Sequence, residues 1–201
     1  WGIGPTFNEN SCSACHENNG RARAPGPGGE ITAGLLLRLS VAGMSGEALP
    51  HPHYGDQFQN RGVKGQVPAE GKAVVRYETR EIAFADGDRV SLREPMVEFA
   101  ELAFGPLAEN TMVSARIAPS LAGLGLLEAV SEETLIEIAK RQPTQGLNGK
   151  PNYVWDVEAQ RTVLGRFGWK ASQPSLRQQT AAAFHADIGA TSSLFPAENC
   201  P

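Results

Sequence analysis

Two cysteines and a histidine near the N-terminus form a C-x-x-C-H sequence, with Cys12, Cys15 and His16 at its defining positions. Two thiols at this spacing can form thioethers with the two vinyl groups of one porphyrin, and the histidine that follows then lies under the iron as its proximal axial ligand. The sequence therefore predicts one haem c, covalently attached through Cys12 and Cys15, with His16 bound to the iron.

Three other uses of this cysteine pair remain as alternatives. A thioredoxin-like redox pair belongs to a βαβ context, whereas the flanks here are rich in Gly, Pro and Asn. A zinc site needs more ligands; His51 and His53 could supply two, but the chain has no second Cys pair. A disulfide between Cys12 and Cys15 would be strained.

The sixth position of the iron decides between electron transfer and catalysis. A methionine ligand raises the potential and closes the iron, whereas an open or weakly held position admits peroxide. Met112, which lies shortly before Arg116, is the preferred methionine. A core or loop role is its alternative. The other candidates, each with a core, loop or surface role as its alternative, are Met44, Met96, His51, His53 and His185.

Haem propionates need cations or hydrogen-bond donors, and Arg116, Arg166 and Lys170 are the candidates. Arginine can bind a carboxylate through two parallel N–H bonds. The alternative is an ordinary ion pair with one of the acidic side chains. Trp169 could pack on the edge of a haem, and packing in the core is its alternative.

Two further polar residues could take part in chemistry on peroxide. Glu128 follows an apolar Gly-Leu run, so it could be a buried carboxylate that acts as a general acid or base. It could equally be a negative charge at the N-terminus of a helix. Gln57 could donate a hydrogen bond on the distal side of the haem.

Length and charge limit the classes of function. A chain of 201 residues can bury a core and forms one or at most two domains. A net charge of −4 argues against nucleic-acid binding, and no apolar run is long enough to span a membrane. The chain begins at Trp1 without an initiator Met, which we interpret as a mature or trimmed form. Haem c is attached outside the cytoplasm, so the motif predicts a periplasmic protein. Cys200 is interpreted as an incidental thiol.

Hydrophobic periodicity predicts a helical protein with a β insertion. Residues 1–30 are loop-like apart from a helical turn at the haem motif, and 31–43 fit either a buried strand or a short core helix. Residues 50–70 are expected to form a polar loop. From 72 to 100 the period becomes two, which predicts a hairpin or meander, about 72–84 and 89–100, around the turn at Asp86, Gly87 and Asp88.

The second half is expected to be mostly helical. Residues 114–141 are predicted to be helical, with a helix that begins at Ser131 as N-cap and stops at Pro143. A last helix is predicted over about 173–186, and Gly189 ends it. The predicted fold class is therefore mainly α and cytochrome-c-like, with a loop-rich body and a small antiparallel β insertion at about 72–100.

The chain resembles a bacterial family of di-haem oxidoreductases, also labelled thiol oxidoreductases or peroxidase-like cytochromes, which are distant relatives of the di-haem cytochrome c peroxidases. The resemblance runs along nearly the whole chain in order. Besides the haem motif, it rests on the blocks 4–8, 36–40, 54–57, 84–87, 116–119, 123–129, 165–171, Phe184 and 187–189.

The resemblance implies a haem-c redox domain of a periplasmic di-haem oxidoreductase, which transfers electrons and carries out peroxidase-like chemistry. Family members are longer and carry a second C-x-x-C-H, so residues 1–201 resemble a single N-terminal haem domain that lacks the second. The implied partners are that second haem domain, a small redox donor or acceptor protein, and peroxide. One alternative is a pure electron carrier with six-coordinate iron and no catalysis. The other is a domain that keeps the motif without haem, its cysteines left as thiols or a disulfide. In a complete di-haem protein, Trp169 could bridge towards the second haem as a redox-active aromatic.

Overall fold

Strands rather than helices make up most of the regular structure, so the prediction of a mainly α, cytochrome-c-like fold is wrong. The computed structural model describes residues 3–26, 29–31 and 33–199. It contains 30% strand and only 20% helix. The main reason is that 114–141, predicted as helical, begins inside a strand that pairs with a segment far away in sequence.

Ten strands and four helices follow one another along the described chain. The strands are β1 (Thr6–Phe7), β2 (Gly29–Glu30), β3 (Leu35–Ala42), β4 (Ala48–Leu49), β5 (Arg61–Gly62), β6 (Lys72–Ala83), β7 (Arg89–Ala100), β8 (Met112–Ile117), β9 (Tyr153–Asp156) and β10 (Arg161–Leu164). The helices are α1 (Cys12–Cys15), α2 (Leu124–Glu128), α3 (Glu132–Arg141) and α4 (Leu176–Ile188), with short 3-10 turns at Glu17–Asn19 and Gln142–Gln145.

The central sheet has the order β4-β3-β8 and is antiparallel. Leu35, Leu37 and Leu39 of β3 are buried, while the residues between them are partly exposed. This alternation is that of a strand with one face on a core, so the ambiguous segment 31–43 is a strand and not a helix. β8 pairs with it in a register that sets Leu35 opposite Ile117.

The segment 50–70 was expected to be a polar loop, but it supplies part of the core. Tyr54 and Phe58 are 1% exposed and pack against Leu37 and Leu39. The segment runs alongside β3, because the backbone N–H of Phe58 donates to the oxygen of Leu37 at 2.9 Å. Backbone bonds to a strand let an irregular segment be buried without unsatisfied polar groups.

The hairpin expected over 72–84 and 89–100 is present. β6 and β7 pair along their whole length, from Lys72 opposite Ala100 to Ala83 opposite Arg89. Its base belongs to the core, where Ala73 and Val75 are buried. Towards the turn the hairpin projects from the body, and nearly all its side chains are exposed.

Two of the predicted helices are present: α3 begins after its predicted N-cap, Ser131, whereas α4 begins at Leu176 instead of about 173. The Ser131 side chain accepts a hydrogen bond from the backbone N–H of Thr134 at the start of α3. α4 begins after Ser175, which caps it in the same way, and it ends at Gly189 with φ = +73°. No helix in the described ranges is long and apolar enough to cross a membrane.

The end of α4 holds the segment that precedes the haem motif. The backbone N–H groups of Asn8 and Glu9 both donate to the carbonyl oxygen of Asp187, at 2.9 and 3.1 Å. The close approach needs glycine on both sides, since a Cβ on Gly4 would lie 2.2 Å from the oxygen of Gly189. The segment just before α1 is therefore held against the C-terminal end of α4.

Candidate functional site

The haem motif forms one helical turn, α1, closed by a hydrogen bond from the His16 backbone N–H to the Cys12 oxygen at 2.9 Å. Cys12 is exposed and Cys15 is buried, and both are free thiols with no disulfide between them. Burial, with a smaller contribution from Asp187 and Glu9, raises the pKa of Cys15 to about 11. Cys15 is therefore a neutral thiol at physiological pH. Cys200 lies outside the described residues.

His16 is held by a distant backbone group. Its Nδ1 lies 2.7 Å from the carbonyl oxygen of Pro119. A carbonyl can only accept a hydrogen bond, so Nδ1 carries the proton and the lone pair of a neutral ring is on Nε2. This is the arrangement of a metal-binding histidine, whose other ring nitrogen donates to a carbonyl or carboxylate. The side chain is thus oriented for metal binding by its own fold.

The segment 117–121 lies beside the motif and brings Trp169 to it. Besides the bond from His16 to Pro119, the backbone N–H of Leu121 donates to the oxygen of Asn19 at 2.9 Å. The indole Nε1 of Trp169 donates to the oxygen of Ile117 at 2.7 Å. Trp169 is 51% exposed. Of the predicted site residues, it is one that is bound to the segment that orients His16.

Cations also lie near this surface. The guanidinium carbon of Arg21 is 5.9 Å from the centre of the Trp169 ring, a distance at which a cation–π attraction operates. Arg116 lies opposite Leu36 in the central sheet, and its Nε lies 3.3 Å from the hydroxyl of Ser114. Burial and the neighbouring Arg38 lower the pKa of Arg116. Arg116 remains a candidate partner for a carboxylate.

A buried polar network lies behind the motif, formed by Asn8, Arg38, Gln57 and Asp187. Gln57 is 4% exposed; its amide nitrogen donates to Asn8 Oδ1 and Asp187 Oδ1, both at 2.8 Å, and its oxygen accepts from Arg38 at 2.9 Å. Arg38 also binds Asp56. The structure therefore gives Gln57 internal partners on both ends of its amide, and it joins α4 to the central sheet.

Asp187 is the ionisable member of this network nearest the motif. Burial raises its pKa, and the hydrogen bond from Gln57 and the charges of Arg38 and His16 oppose this rise. Asp187 also contributes to the raised pKa of Cys15. The electrostatic environment of the motif is thus set partly by α4.

Glu128 and Arg166 are placed at helix ends. Glu128 is exposed, and its Oε1 accepts the backbone N–H of Leu176, the first residue of α4, at 2.8 Å. This is the helix-terminal role that the sequence left open as the alternative to acid/base catalysis. The guanidinium of Arg166 donates to the carbonyl oxygens of Leu127, Glu128 and Val130, at the C-terminal end of α2 and just beyond it. Neither residue is brought to His16 by a described contact.

Met112 and His16 are not brought together. Met112 begins β8 and Ile117 ends it, so about 17 Å of strand separates Met112 from Ile117. It is Ile117, through the following Pro119, that lies on the side of the motif. Lys170 is exposed, and its backbone oxygen accepts from the Asn152 side chain at 3.0 Å. The other methionines considered as iron ligands, Met44 and Met96, are exposed.

The remaining histidines have partners within the fold. His51 was expected to be a solvated loop residue, but it is 2% exposed. Its Nδ1 lies 3.1 and 3.2 Å from the backbone nitrogens of His53 and Tyr54, and burial lowers its pKa. His185 Nε2 lies 3.0 Å from the oxygen of Ala197. Among the described residues, no group of three or more His, Cys, Asp and Glu could hold a metal ion.

Sequence reasoning missed several residues of this site. Pro119 and Asp187 were noticed only as parts of family blocks, and Arg38 only as part of the block 36–40. The contact of His16 with Pro119 spans 103 residues, and no local pattern indicates it. Glu70, which is 2% exposed, was also missed. Its only sequence signal is a carboxylate in 67–75, a stretch that is apolar apart from Glu70 itself, Gly71 and Lys72.

The fold and the site define a β-rich domain that presents one oriented imidazole beside two thiols. Over residues 1–201 the chain matches the family described as "Di-haem oxidoreductase, putative peroxidase". The chain belongs to this family. Membership implies oxidoreductase chemistry and a haem cofactor. No curated protein and no solved structure matches the chain.

The residues of the motif fit a haem. His16 offers its Nε2 from a ring whose orientation is fixed by Pro119, and both cysteines are thiols rather than a disulfide. Exposed apolar side chains, Leu121 and Trp169, lie on the segments beside the motif. An imidazole, two thiols and apolar surface are the groups that a covalently attached porphyrin requires.

Proposed function

We propose that this chain is a haem-c redox domain of a periplasmic oxidoreductase, with the haem attached through Cys12 and Cys15 and with His16 as the proximal ligand. The domain transfers electrons and, within the complete di-haem protein, takes part in peroxidase-like chemistry. The bound haem supplies the one-electron chemistry of the iron. The second haem domain, a small redox protein and peroxide are the proposed partners.

The hydrogen bond between His16 Nδ1 and Pro119 carries the proposal. A C-x-x-C-H sequence alone leaves the histidine free to turn. In this structure a carbonyl group accepts the Nδ1 proton and orients the ring, so that in the neutral tautomer the lone pair is on Nε2. A carbonyl partner also raises the electron density that the ring offers to a metal. The contact is made between parts of the chain that are distant in sequence, so it is a property of the fold and not of the motif.

The other residues of the site have supporting roles. Trp169 and Leu121 cover the side of the motif with apolar surface. The Gln57 network holds the end of α4 against the segment before α1. Arg116 is the proposed propionate partner, because its guanidinium shows no ion pair with a carboxylate in the described part of the chain.

The position of Met112 favours catalysis over the pure carrier. A methionine ligand would close the iron and hold it for electron transfer. Since Met112 lies at the far end of β8 from the segment that holds His16, we propose that this methionine does not close the iron. An iron whose sixth position is open admits peroxide.

The test is an absorption spectrum of the protein matured in a host that attaches haem c, with a denatured pyridine haemochrome. We expect one haem c per chain, resistant to acid-acetone extraction. The Cys15→Ala variant is expected to lose the normal two-thioether attachment, and Cys12→Ala serves as its exposed counterpart. Absence of haem, or unchanged covalent haem in both variants, would contradict the proposal. Native bands of low-spin, methionine-ligated iron would favour the pure carrier.

A further inference from the structure

The three segments that meet at the haem motif carry an excess of positive charge. They are 12–24, which contains the motif, 116–121, which holds His16, and 168–171, which contains Trp169. Their charged residues are four cations and one acid, namely Arg21, Arg23, Arg116, Lys170 and Glu17. The whole chain, in contrast, has 18 Lys and Arg residues against 22 Asp and Glu residues. The positive charge is therefore local, and its sign is opposite to that of the net charge of −4.

Arg21 and Arg23 are fixed beside the motif through the residue between them. The backbone N–H of Ala22 donates to the oxygen of Ala118 at 3.0 Å, in the second of the three segments. The Ala22 side chain lies inward, since its Cβ would be 2.3 Å from a Cβ on Gly34, which is itself buried. Both arginines are exposed, so this attachment holds two guanidinium groups at the surface beside the motif.

Trp169 orients Arg21 and is followed by a third exposed cation. The guanidinium carbon of Arg21 lies 5.9 Å from the centre of the Trp169 ring, and the indole nitrogen of that ring donates to the oxygen of Ile117. Lys170, the next residue along the chain, is exposed in the same turn. Arg21, Arg23 and Lys170, here called the cationic rim, therefore lie on the segments around one aromatic side chain.

Within the described part of the chain, no carboxylate is paired with the cationic rim. None of its three side chains belongs to an ion pair there. The two acids behind the motif have internal partners: Glu9 is bound to Arg61 at 2.6 Å, and Asp187 accepts a hydrogen bond from Gln57. Glu17 is exposed beside the motif, but it supplies one negative charge against three positive charges. The rim therefore presents positive charge to the solvent.

We propose that the cationic rim is the docking surface for an acidic redox protein that exchanges one electron with the haem at the motif. Unpaired cations beside an electron-transfer site attract a partner of opposite charge and orient it there. In the exchange the reduced partner loses one electron and the ferric iron gains it, and no bond or proton is transferred. The rim has this role only when the haem of the proposed function is bound.

The charge of the rest of the molecule favours the same orientation. Because the chain is net negative, an acidic partner is repelled by the molecule as a whole and attracted at the rim. Complexes between redox proteins bury little surface and are weak, so three charges beside the site can control the rate at which the productive complex forms. Arg116, the proposed partner of a haem propionate, is not part of the rim, so its neutralisation leaves these three charges in place.

The test is the reduction of the ferric haem by an acidic two-iron ferredoxin of low potential, followed by stopped flow between about 10 mM and 0.5 M salt. We expect the second-order rate constant of the matured chain to fall at least about tenfold over this range. The rim variant carries Arg21→Gln, Arg23→Gln and Lys170→Gln. At low salt it is expected to react at least about tenfold more slowly than the natural chain, and it should lose most of the salt dependence.

The matched control variant carries Arg80→Gln, Arg89→Gln and Arg93→Gln, which remove the same charge from exposed positions of the hairpin. Its rate constant with ferredoxin should equal that of the natural chain. A cationic oxidant, tris(phenanthroline)cobalt(III), separates charge from the reactivity of the haem. It should oxidise the ferrous haem of the rim variant faster than that of the natural chain, because the repelling cations are gone.

The covalent haem content of every preparation is measured first. A chain without haem contradicts the proposed function, and the docking surface fails with it. With haem present, a ferredoxin rate that does not depend on salt, or that falls equally in the rim and control variants, overturns the docking surface alone. Slower reaction of the rim variant with both reagents also overturns it, because the substitutions then alter the haem and not the approach of the partner.

Discussion

At the scale of single residues, the site depends on how one imidazole is held. The carbonyl of Pro119 orients the ring of His16, and Trp169 donates to the backbone two residues before that proline. Removing either hydrogen bond would loosen the same short segment, residues 117–119. The chemistry of the motif is thus coupled to residues more than a hundred positions away, through backbone atoms that any side chain could supply.

The motif itself could be predicted from sequence, and its supporting contacts could not. The spacing of Cys12, Cys15 and His16 has a direct chemical meaning. The partner of His16 is a main-chain oxygen, which carries no residue-specific signal. For Gln57 and Glu128 the residue types allowed both a catalytic and a structural role. The structure places both in hydrogen bonds that hold helices and strands together.

The first prediction concerns Met112. Replacing Met112 with Ala is expected to leave the spectrum of the haem-loaded protein unchanged, because the residue lies about 17 Å of strand away from Ile117. The measurement is the spin state of the ferric protein, from its absorption bands or from electron paramagnetic resonance. Met96→Ala is the control, since it removes an exposed methionine from the hairpin. Increased high-spin character in the Met112 variant alone would show that the methionine reaches the iron.

The second prediction concerns Glu70 and pH. Glu70 Oε2 accepts the backbone N–H of Gln59 at 2.6 Å, and burial raises its pKa to about 8, against 4.5 for an ordinary glutamate. The folded state therefore binds a proton that the unfolded chain releases between these values. Its stabilising contribution is complete below about pH 4.5 and is lost as the pH rises through 8.

The Glu70→Gln variant tests this linkage. Between pH 5 and 8 the free energy of unfolding of the natural chain should fall relative to that of the variant, by at most about 1.4 kcal/mol per pH unit for one proton. The measurement is urea denaturation at several pH values. The control is Glu47→Gln, at an exposed position. Its free energy of unfolding should change with pH in parallel with that of the natural chain. Parallel curves for Glu70→Gln as well would show that the buried carboxyl titrates normally.

At the scale of secondary-structure elements, local signals were reliable where the element is stabilised locally. The hairpin of β6 and β7 was predicted from its period of two and its turn, and α3 from Ser131. The pairing of β3 with β8 joins segments about eighty residues apart. Nothing local distinguishes β8 from the start of a helix. The burial of Tyr54 was missed for the same reason, because its segment is polar in composition and becomes core only alongside β3.

The third prediction concerns the contact between α4 and the N-terminal segment. Gly189→Ala is expected to destabilise the fold by about 1–3 kcal/mol, because φ is +73° and atoms of Gly4 lie 2.8 Å from the added Cβ. Gly46→Ala is the matched control. Gly46 has φ = +82° with nothing within 4 Å, so it isolates the backbone cost from the steric one. Equal losses of unfolding free energy in the two variants would show that the N-terminal segment is not packed as described.

At the scale of the whole molecule, haem attachment is expected to stabilise the fold. Trp169 is 51% and Leu121 is 37% exposed beside the motif, and each 100 Å² of apolar surface that the porphyrin covers contributes about 2.5 kcal/mol. The chain matured with haem should therefore unfold at a higher denaturant concentration than the same chain produced without haem attachment. The expected difference in unfolding free energy is at least about 2 kcal/mol.

The cysteines provide the control for this last prediction. A Cys12→Ala, Cys15→Ala double variant cannot be attached, and the buried Cys15 contributes some stability of its own. That intrinsic cost is measured by comparing the variant with the natural chain when both are produced without haem. Only the additional difference that appears after maturation belongs to the haem. If maturation leaves the difference in unfolding free energy between the natural chain and the double variant unchanged, the haem does not cover the surface around Trp169. The proposed position of the porphyrin beside His16 is then wrong.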